Sequence, residues 1–219
     1  MNPNILIVGA SGSGKSSSLR NLNPDEVFLL NIERKTLPFK KASLFKHEAQ
    51  PTTWKEIKES IETAKSAQQP IIVVDSFTSI DELLLAHCRT LWKGFDIYSN
   101  HNRMVRELIA SLKLQSKLVV LIGIDEIVAV KQPGGSEISR RALKVEGREL
   151  QGTIEKEFTI VFFTDVKPAS NGTMEYRFCV NTDGINTAKS PMEMFDKQFI
   201  PNDLVLAQNK IHEYYKETL

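Results

Sequence analysis

Cysteine is nearly absent from this chain. Two, Cys88 and Cys179, occur in 219 residues. They lie far apart and lack the short spacings that hold a metal, so the sequence writes no disulfide framework and no zinc motif. Reduced, partly buried thiols are the expected state, with one structural disulfide as the alternative. Long apolar runs are missing too. None approaches the roughly 20 residues that span a bilayer, and Met1-Asn2-Pro3-Asn4 has no basic stretch leading into an apolar one. No secretory signal is therefore expected, no membrane partner, and the cytoplasm is the expected compartment. An excess of one charge is also lacking. With 28 Lys and Arg against 27 Asp and Glu the net charge is +1, which excludes a uniformly basic nucleic-acid binder but leaves room for a local basic loop. Aromatic residues make up 8%, little material for stacking bases. His47, His87, His101 and His212 form no ligand or nucleophile pattern by spacing and read as surface or helix residues. No internal repeat is visible.

What is present is a globular composition and the length of one domain, taken as 1–219. Ile5-Leu6-Ile7-Val8, Val27 to Ile32 ending at Glu33, Ile71 to Asp75 and Leu118 to Ile124 are short apolar runs suited to strands buried on both faces. Helices are predicted over Lys15–Leu22, after Thr53 with Trp54, Ile57, Ile61 and Ala64 on one face, over Ser79–Trp92, and over His101–Leu114 after a break at 94–100. This alternation predicts an α/β fold with a mostly parallel central sheet flanked by helices. In the C-terminal third the pattern changes. Residues 131–148 read as a long, flexible basic loop. Glu157–Thr164 and Met174–Asn181 read as antiparallel strands around the turn dipeptide Asn171-Gly172. A last helix fills 202–219, capped by Asn202 or Asp203, with Leu204, Ala207, Ile211 and Tyr214 facing inward.

The chemistry is concentrated at Gly9-Ala10-Ser11-Gly12-Ser13-Gly14-Lys15-Ser16-Ser17. Gly9, Gly14, Lys15 and Ser16 meet the pattern G-x-x-x-x-G-K-[S/T], directly after one predicted strand and at the start of a helix. Glycines there let the backbone aim several N–H groups at one point. Lys15 adds a point charge for the β- and γ-phosphates, and the Ser16 hydroxyl is a Mg²⁺ ligand. The implied ligands are ATP and Mg²⁺. Asp75, at the end of its strand, is the second metal residue, with Ser76 in its water shell. Glu33 is the candidate base for a water attacking the γ-phosphate, its plain alternative being an ion pair with Arg34 or Lys35. Asp125 and Glu126 end the fourth strand, where a γ-phosphate sensor or base would sit.

This order of parts, and the segment "IIVVDSFTSI" above all, resembles the core of RecA-fold ATPases, in particular the small phage-encoded RecA-like ATPases of AAA type linked to single-strand annealing and recombination. The resemblance implies a RecA-like P-loop NTPase fold in which Leu118–Ile124 lies between the P-loop strand and the strand of Asp75. It implies ATP hydrolysis, a homo-oligomeric ring or filament, single-stranded DNA as partner, and a single-strand-binding or replication protein as a further one. A phage-encoded chain would work in the cytoplasm of its bacterial host. The DNA-contacting segments would be Lys93–Arg103 and 131–148, the second through Lys131, Arg140, Arg141, Lys144 and Arg148. Lys189, in Thr187-Ala188-Lys189-Ser190-Pro191, would complete a neighbour's ATP site. Relatives often carry a second basic residue where Pro191 stands here. Two other readings stay open: a nucleotide-dependent switch or helicase-loader-like module, and a small-molecule kinase with 131–148 as its arginine-bearing lid.

Overall fold

The four apolar runs form the middle of one sheet. The computed structural model describes residues 4–113, 116–131 and 135–216, with the side chain of Lys131 outside the described residues. In chain order the strands are β1 (Ile5–Val8), β2 (Val27–Asn31), β3 (Glu48–Ala49), β4 (Ile71–Asp75), β5 (Leu118–Gly123), β6 (Asp125–Lys131), β7 (Glu137–Leu143), β8 (Ile160–Pro168), β9 (Met174–Cys179) and β10 (Phe199–Pro201). Eight of them make a sheet ordered β10-β9-β8-β1-β5-β4-β2-β3, while β6 and β7 pair with each other. From β3 to β8 all neighbours run parallel. β9 is antiparallel to β8 and to β10. β5 thus lies between β1 and β4, the place expected for Leu118–Ile124.

Successive residues of a strand face opposite sides of the sheet, so every position of these runs must be apolar. Leu6 and Val8 join the layer under α1 (Trp54–Ser66), α2 (Phe77–Leu91) and α3 (Phe95–Lys113). Ile5 and Ile7 join the opposite layer, with Leu37, Phe45 and α4 (Leu204–Lys216). α1 buries Trp54, Ile57, Ile61 and Ala64, the face predicted, and Thr53 accepts a hydrogen bond from the Glu56 amide as its cap. α4 starts where expected, with Asp203 accepting from the Val205 amide. Cys88 and Cys179 are buried free thiols. Among the described residues no helix is long and apolar enough to cross a membrane.

Three expectations need correction. The helix after the P-loop is a 3-10 turn of six residues, Ser16–Asn21. Ser18 donates its hydroxyl to the Lys15 carbonyl at 2.6 Å, the backbone competition that makes serine runs poor α-helix formers. The break at 94–100 shrinks to Gly94, at φ +57°. Ser99 and Asn100 donate to the Asp96 carbonyl from inside the first turns of α3 rather than opening a turn, so most of the Lys93–Arg103 segment is helix. The segment 131–148 is not one long loop. Its Glu137–Leu143 pairs as β7 with Asp125–Lys131, register Asp125↔Leu143 to Lys131↔Glu137. The β-formers Val128, Val130 and Ile138 lie in this ladder, and Gln132-Pro133-Gly134 lie outside the described residues. Of the two places read for His101, surface or helix, the structure gives the helix, α3. The side chain is fully buried, with Nε2 2.8 Å from Oδ1 of equally buried Asp81, and it joins α3 to α2.

Candidate functional site

β1 delivers the chain to the P-loop at Val8. Gly12 and Gly14 take φ of +76° and +93°, a region closed to most side chains. Gly9 is required for another reason. A Cβ there would stand 1.7 Å from Thr164 Oγ1 and 2.8 Å from Ser13 Oγ. Those two hydroxyls lie 2.5 Å apart, and Ser13 Oγ also meets the Ala10 carbonyl at 2.6 Å. Thr164, on β8, is therefore the floor of the loop. Gly9→Ala is expected to cost about 1–3 kcal/mol through overpacking and to weaken nucleotide binding. Adding Thr164→Ala should recover part of both, as a thermal midpoint and a nucleotide titration will show.

Above this floor is a depression of about 500 Å³ lined by Gly12, Lys15, Ser16, Glu33, Asp75 and Tyr176, among others, the size of a small-ligand site. Lys15 Nζ donates to the Gly9 and Ala10 carbonyls at 2.8 Å each. Burial pushes the Lys15 ammonium below its ordinary range, while Asp75, Asp125 and Glu33 pull it back. Ser16 Oγ donates to Asp75 Oδ2 at 2.6 Å, although 59 residues separate them. Burial pushes the Asp75 carboxyl up, against the Ser16 hydrogen bond. The Asp75–Ser76 peptide is cis. Ser76 Oγ caps α2 by accepting from the Ser79 amide and donates to Glu33 Oε1 at 3.2 Å. The cap starts α2 two residues before the predicted Ser79. Glu33 lies beyond the end of β2, at Asn31, and its Oε2 receives Lys35 Nζ at 2.6 Å. That bond, more than any other influence, holds Glu33 below the usual carboxylate range. Glu33 therefore lines the cleft and at the same time makes the ion pair with Lys35.

This donor set fits Mg²⁺ with a triphosphate. All the candidate ligand atoms are oxygens, as a hard cation requires, and Mg²⁺ takes one or two protein groups beside phosphate and water. Among the described residues no group of three or more His, Cys, Asp and Glu is placed to hold a metal by itself. Ser16 and Asp75 would hold the ion. Asp75→Asn is expected to raise the Mg²⁺ concentration needed for nucleotide binding about 10–100-fold, which a Mg²⁺ titration checks.

Among the described residues, the remaining predicted ones do not line the cleft, although Asp125 is near enough to Lys15 to pull its pKa upward. Asp125 Oδ2 takes Arg141 Nε at 2.6 Å, and Glu126 Oε1 accepts from the Val145 amide at 3.3 Å. Both acids are engaged in the hairpin, and Ile124 lines the cleft on that side. Of the five cations assigned to DNA, the four whose side chains are described do not make one open cluster. Arg140 and Arg141 are adjacent on β7 and so face opposite ways. Arg141 turns inward, its guanidinium 5.4 Å from the Phe163 ring centre. Lys144 pairs with Glu82 at 3.2 Å, Arg148 is exposed, and the side chain of Lys131 is outside the described residues. Lys189 is held by backbone hydrogen bonds to Val161 of 2.8 and 3.0 Å. Burial lowers its pKa against the pull of Glu155 and Glu157, and it is not among the residues lining its own chain's cleft. Sequence reasoning missed Thr164 and Tyr176, which carried no local signal, and it named Lys35 only as a partner for Glu33, not as a residue lining the cleft.

A β1–loop–turn unit carrying Lys15, a strand inserted between β1 and β4, and the Ser16–Asp75 pair define a P-loop nucleotide-binding protein of RecA-like fold. Residues 1–192 match the AAA domain family, and the chain belongs to it. Among solved structures it is similar to a KaiC-like protein from the hyperthermophilic archaeon Pyrococcus horikoshii OT3. The two are 15% identical, with 91% of this chain and 84% of that one covered at a TM-score of 0.52, a likeness of fold. No curated protein matches the sequence.

Proposed function

We propose that the protein binds Mg²⁺-ATP and hydrolyses it, with Glu33 as the base. The observation that carries this reading is the gathering of Lys15, Ser16, Asp75 and Glu33 around one cleft. Mg²⁺, when bound, neutralises charge on the β- and γ-phosphates. The glycine loop positions the triphosphate, and Lys15 stabilises the negative charge that moves toward the leaving oxygen. A water oxygen bonds to the γ-phosphorus as the bond to the β,γ-bridging oxygen breaks. ADP and phosphate leave, and the water's proton passes to Glu33. Magnesium-dependent phosphate release without any acceptor tests the reaction and separates it from a kinase.

The work driven by this cycle is proposed to be on single-stranded DNA, in recombination or annealing, by a homo-oligomeric ring or filament in which Lys189 reaches a neighbour's nucleotide. A single-strand-binding or replication protein would be its protein partner. The support is the order of the P-loop, Glu33 and Asp75 segments. Phosphate release measured with and without single-stranded DNA, beside sizing with an ATP analogue, tests it. One observation favours a second reading, a nucleotide-dependent switch: Lys35 already occupies one oxygen of Glu33. A switch would bind ATP tightly and turn it over negligibly even with DNA.

A further inference from the structure

The densest run of uncompensated charge lies outside the hairpin. Residues 34–47 contain Arg34, Lys35, Lys40, Lys41 and Lys46, with His47 and no acid. The segment is a strap with a fixed base. Leu37 and Phe45 are buried in the α4 layer, and Phe39 packs edge-on against Phe45 with ring centres 5.8 Å apart. The five cations are exposed. Among the described residues, only Lys35 of these has an ion-pair partner, Glu33. Arg34, Lys35 and Lys46 line one depression of about 500 Å³ with Thr36, Ser43 and Gln50. Glu48, also there, is taken by the Asn31 amide at 2.7 Å and the Gln50 amide at 3.0 Å.

We propose that this strap is a binding site for the phosphate backbone of a nucleic acid, single-stranded under the reading above, and that its occupancy is passed to the nucleotide cleft through Lys35. Cations strung along a segment suit an extended polyanion, whose affinity comes from phosphates and falls with salt. A lipid surface would need apolar insertion as well, and Leu44 is the one large hydrophobic side chain exposed on the strap. The hairpin is a poorer site because Arg141 and Lys144 are paired. Lys35 lines both this depression and the nucleotide cleft. A phosphate at its ammonium competes with Glu33, and a released Glu33, still bonded to Ser76, is free to take a proton from water. This coupling rests on Glu33 being the base, whereas the binding site does not.

The test uses the full chain and fluorescent oligo(dT), titrated at several salt concentrations. Replacing Lys40, Lys41 and Lys46 together with alanine is expected to lower affinity at least tenfold. It should also flatten the slope of log K against log salt by about 2, or roughly 0.7 for each lost single-strand contact. Circular dichroism and the thermal midpoint serve as the folding control, and Lys40→Glu alone is the milder variant. Unchanged affinity and slope would overturn the site. So would a larger loss in an Arg140→Ala, Arg148→Ala variant, or wild-type preference for vesicles of equal phosphatidylserine and phosphatidylcholine over oligo(dT). Lys35→Met is expected to raise phosphate release several-fold without DNA and to abolish stimulation by oligo(dT). If the alanine triple loses oligo(dT) while Lys35→Met changes neither rate, the coupling is refuted and the strap site stands, and Glu33→Gln alone decides whether Glu33 is the base.

Discussion

Lys15→Ala is expected to lower ATP turnover at least about 10²–10³-fold, the range for removing one preorganised group that stabilises transition-state charge. The protein should stay folded. Lys15 makes two hydrogen bonds, to the carbonyls of Gly9 and Ala10, but its ammonium is held below its ordinary pKa by burial. Removing it relieves a desolvation cost as it deletes those bonds. The thermal midpoint should therefore move little while nucleotide affinity and rate collapse together. Lys15→Arg should not restore the rate, because a broad planar guanidinium does not replace a compact point charge under a tight loop. Phosphate release and a thermal melt on the same preparation check both halves. Wild-type turnover by Lys15→Ala would refute the site.

The sequence was most legible where a residue's neighbours in the chain decide its state. Ile5–Val8 and Ile71–Val74 are apolar at every position because both faces are covered, and nothing local competes with strand. Thr53 and Asp203 cap helices through bonds spanning two or three residues. The nucleotide loop was legible because its function is a backbone shape that only glycine at fixed positions permits. Contacts across the chain left weaker traces. The β7 ladder is an alternation hidden among Arg140, Arg141 and Ser139, whose side chains gave the segment its look of a loop. His101 reads as polar on a helix face until Asp81 meets it under the α2–α3 contact. Thr164 lies 151 residues from Ser13, and no spacing rule relates a strand threonine to a phosphate loop. Glu33 was legible as an acid near a strand end, but its pairing with Lys35 depends on the reversal at Arg34, where φ is +53°.

That pairing sets the terms of the remaining prediction. Glu33→Gln is expected to lower kcat about 10²–10⁴-fold, the usual worth of a positioned base, with ATP affinity nearly unchanged. Glutamine keeps the shape and can still accept from Ser76 Oγ, but it cannot take a proton from water. The pH profile carries independent information. Lys35 holds Glu33 below the usual carboxylate range, so the base is ionised throughout the neutral region, and hydrolysis falls only as pH drops through the lowered pKa. In Lys35→Met the cation is gone, and the acidic limb should shift to higher pH. If Glu33 served only to pair with Lys35, Glu33→Gln would remove an exposed ion pair of a kind that adds little to stability and leave the rate intact. A large loss of kcat with retained binding, and an acidic limb that follows Lys35, can come only from a carboxylate that works on the attacking water. Equal rates in Glu33→Gln and wild type would instead leave Lys35 and Glu33 as a latch on the nucleotide cleft, and the protein as a switch.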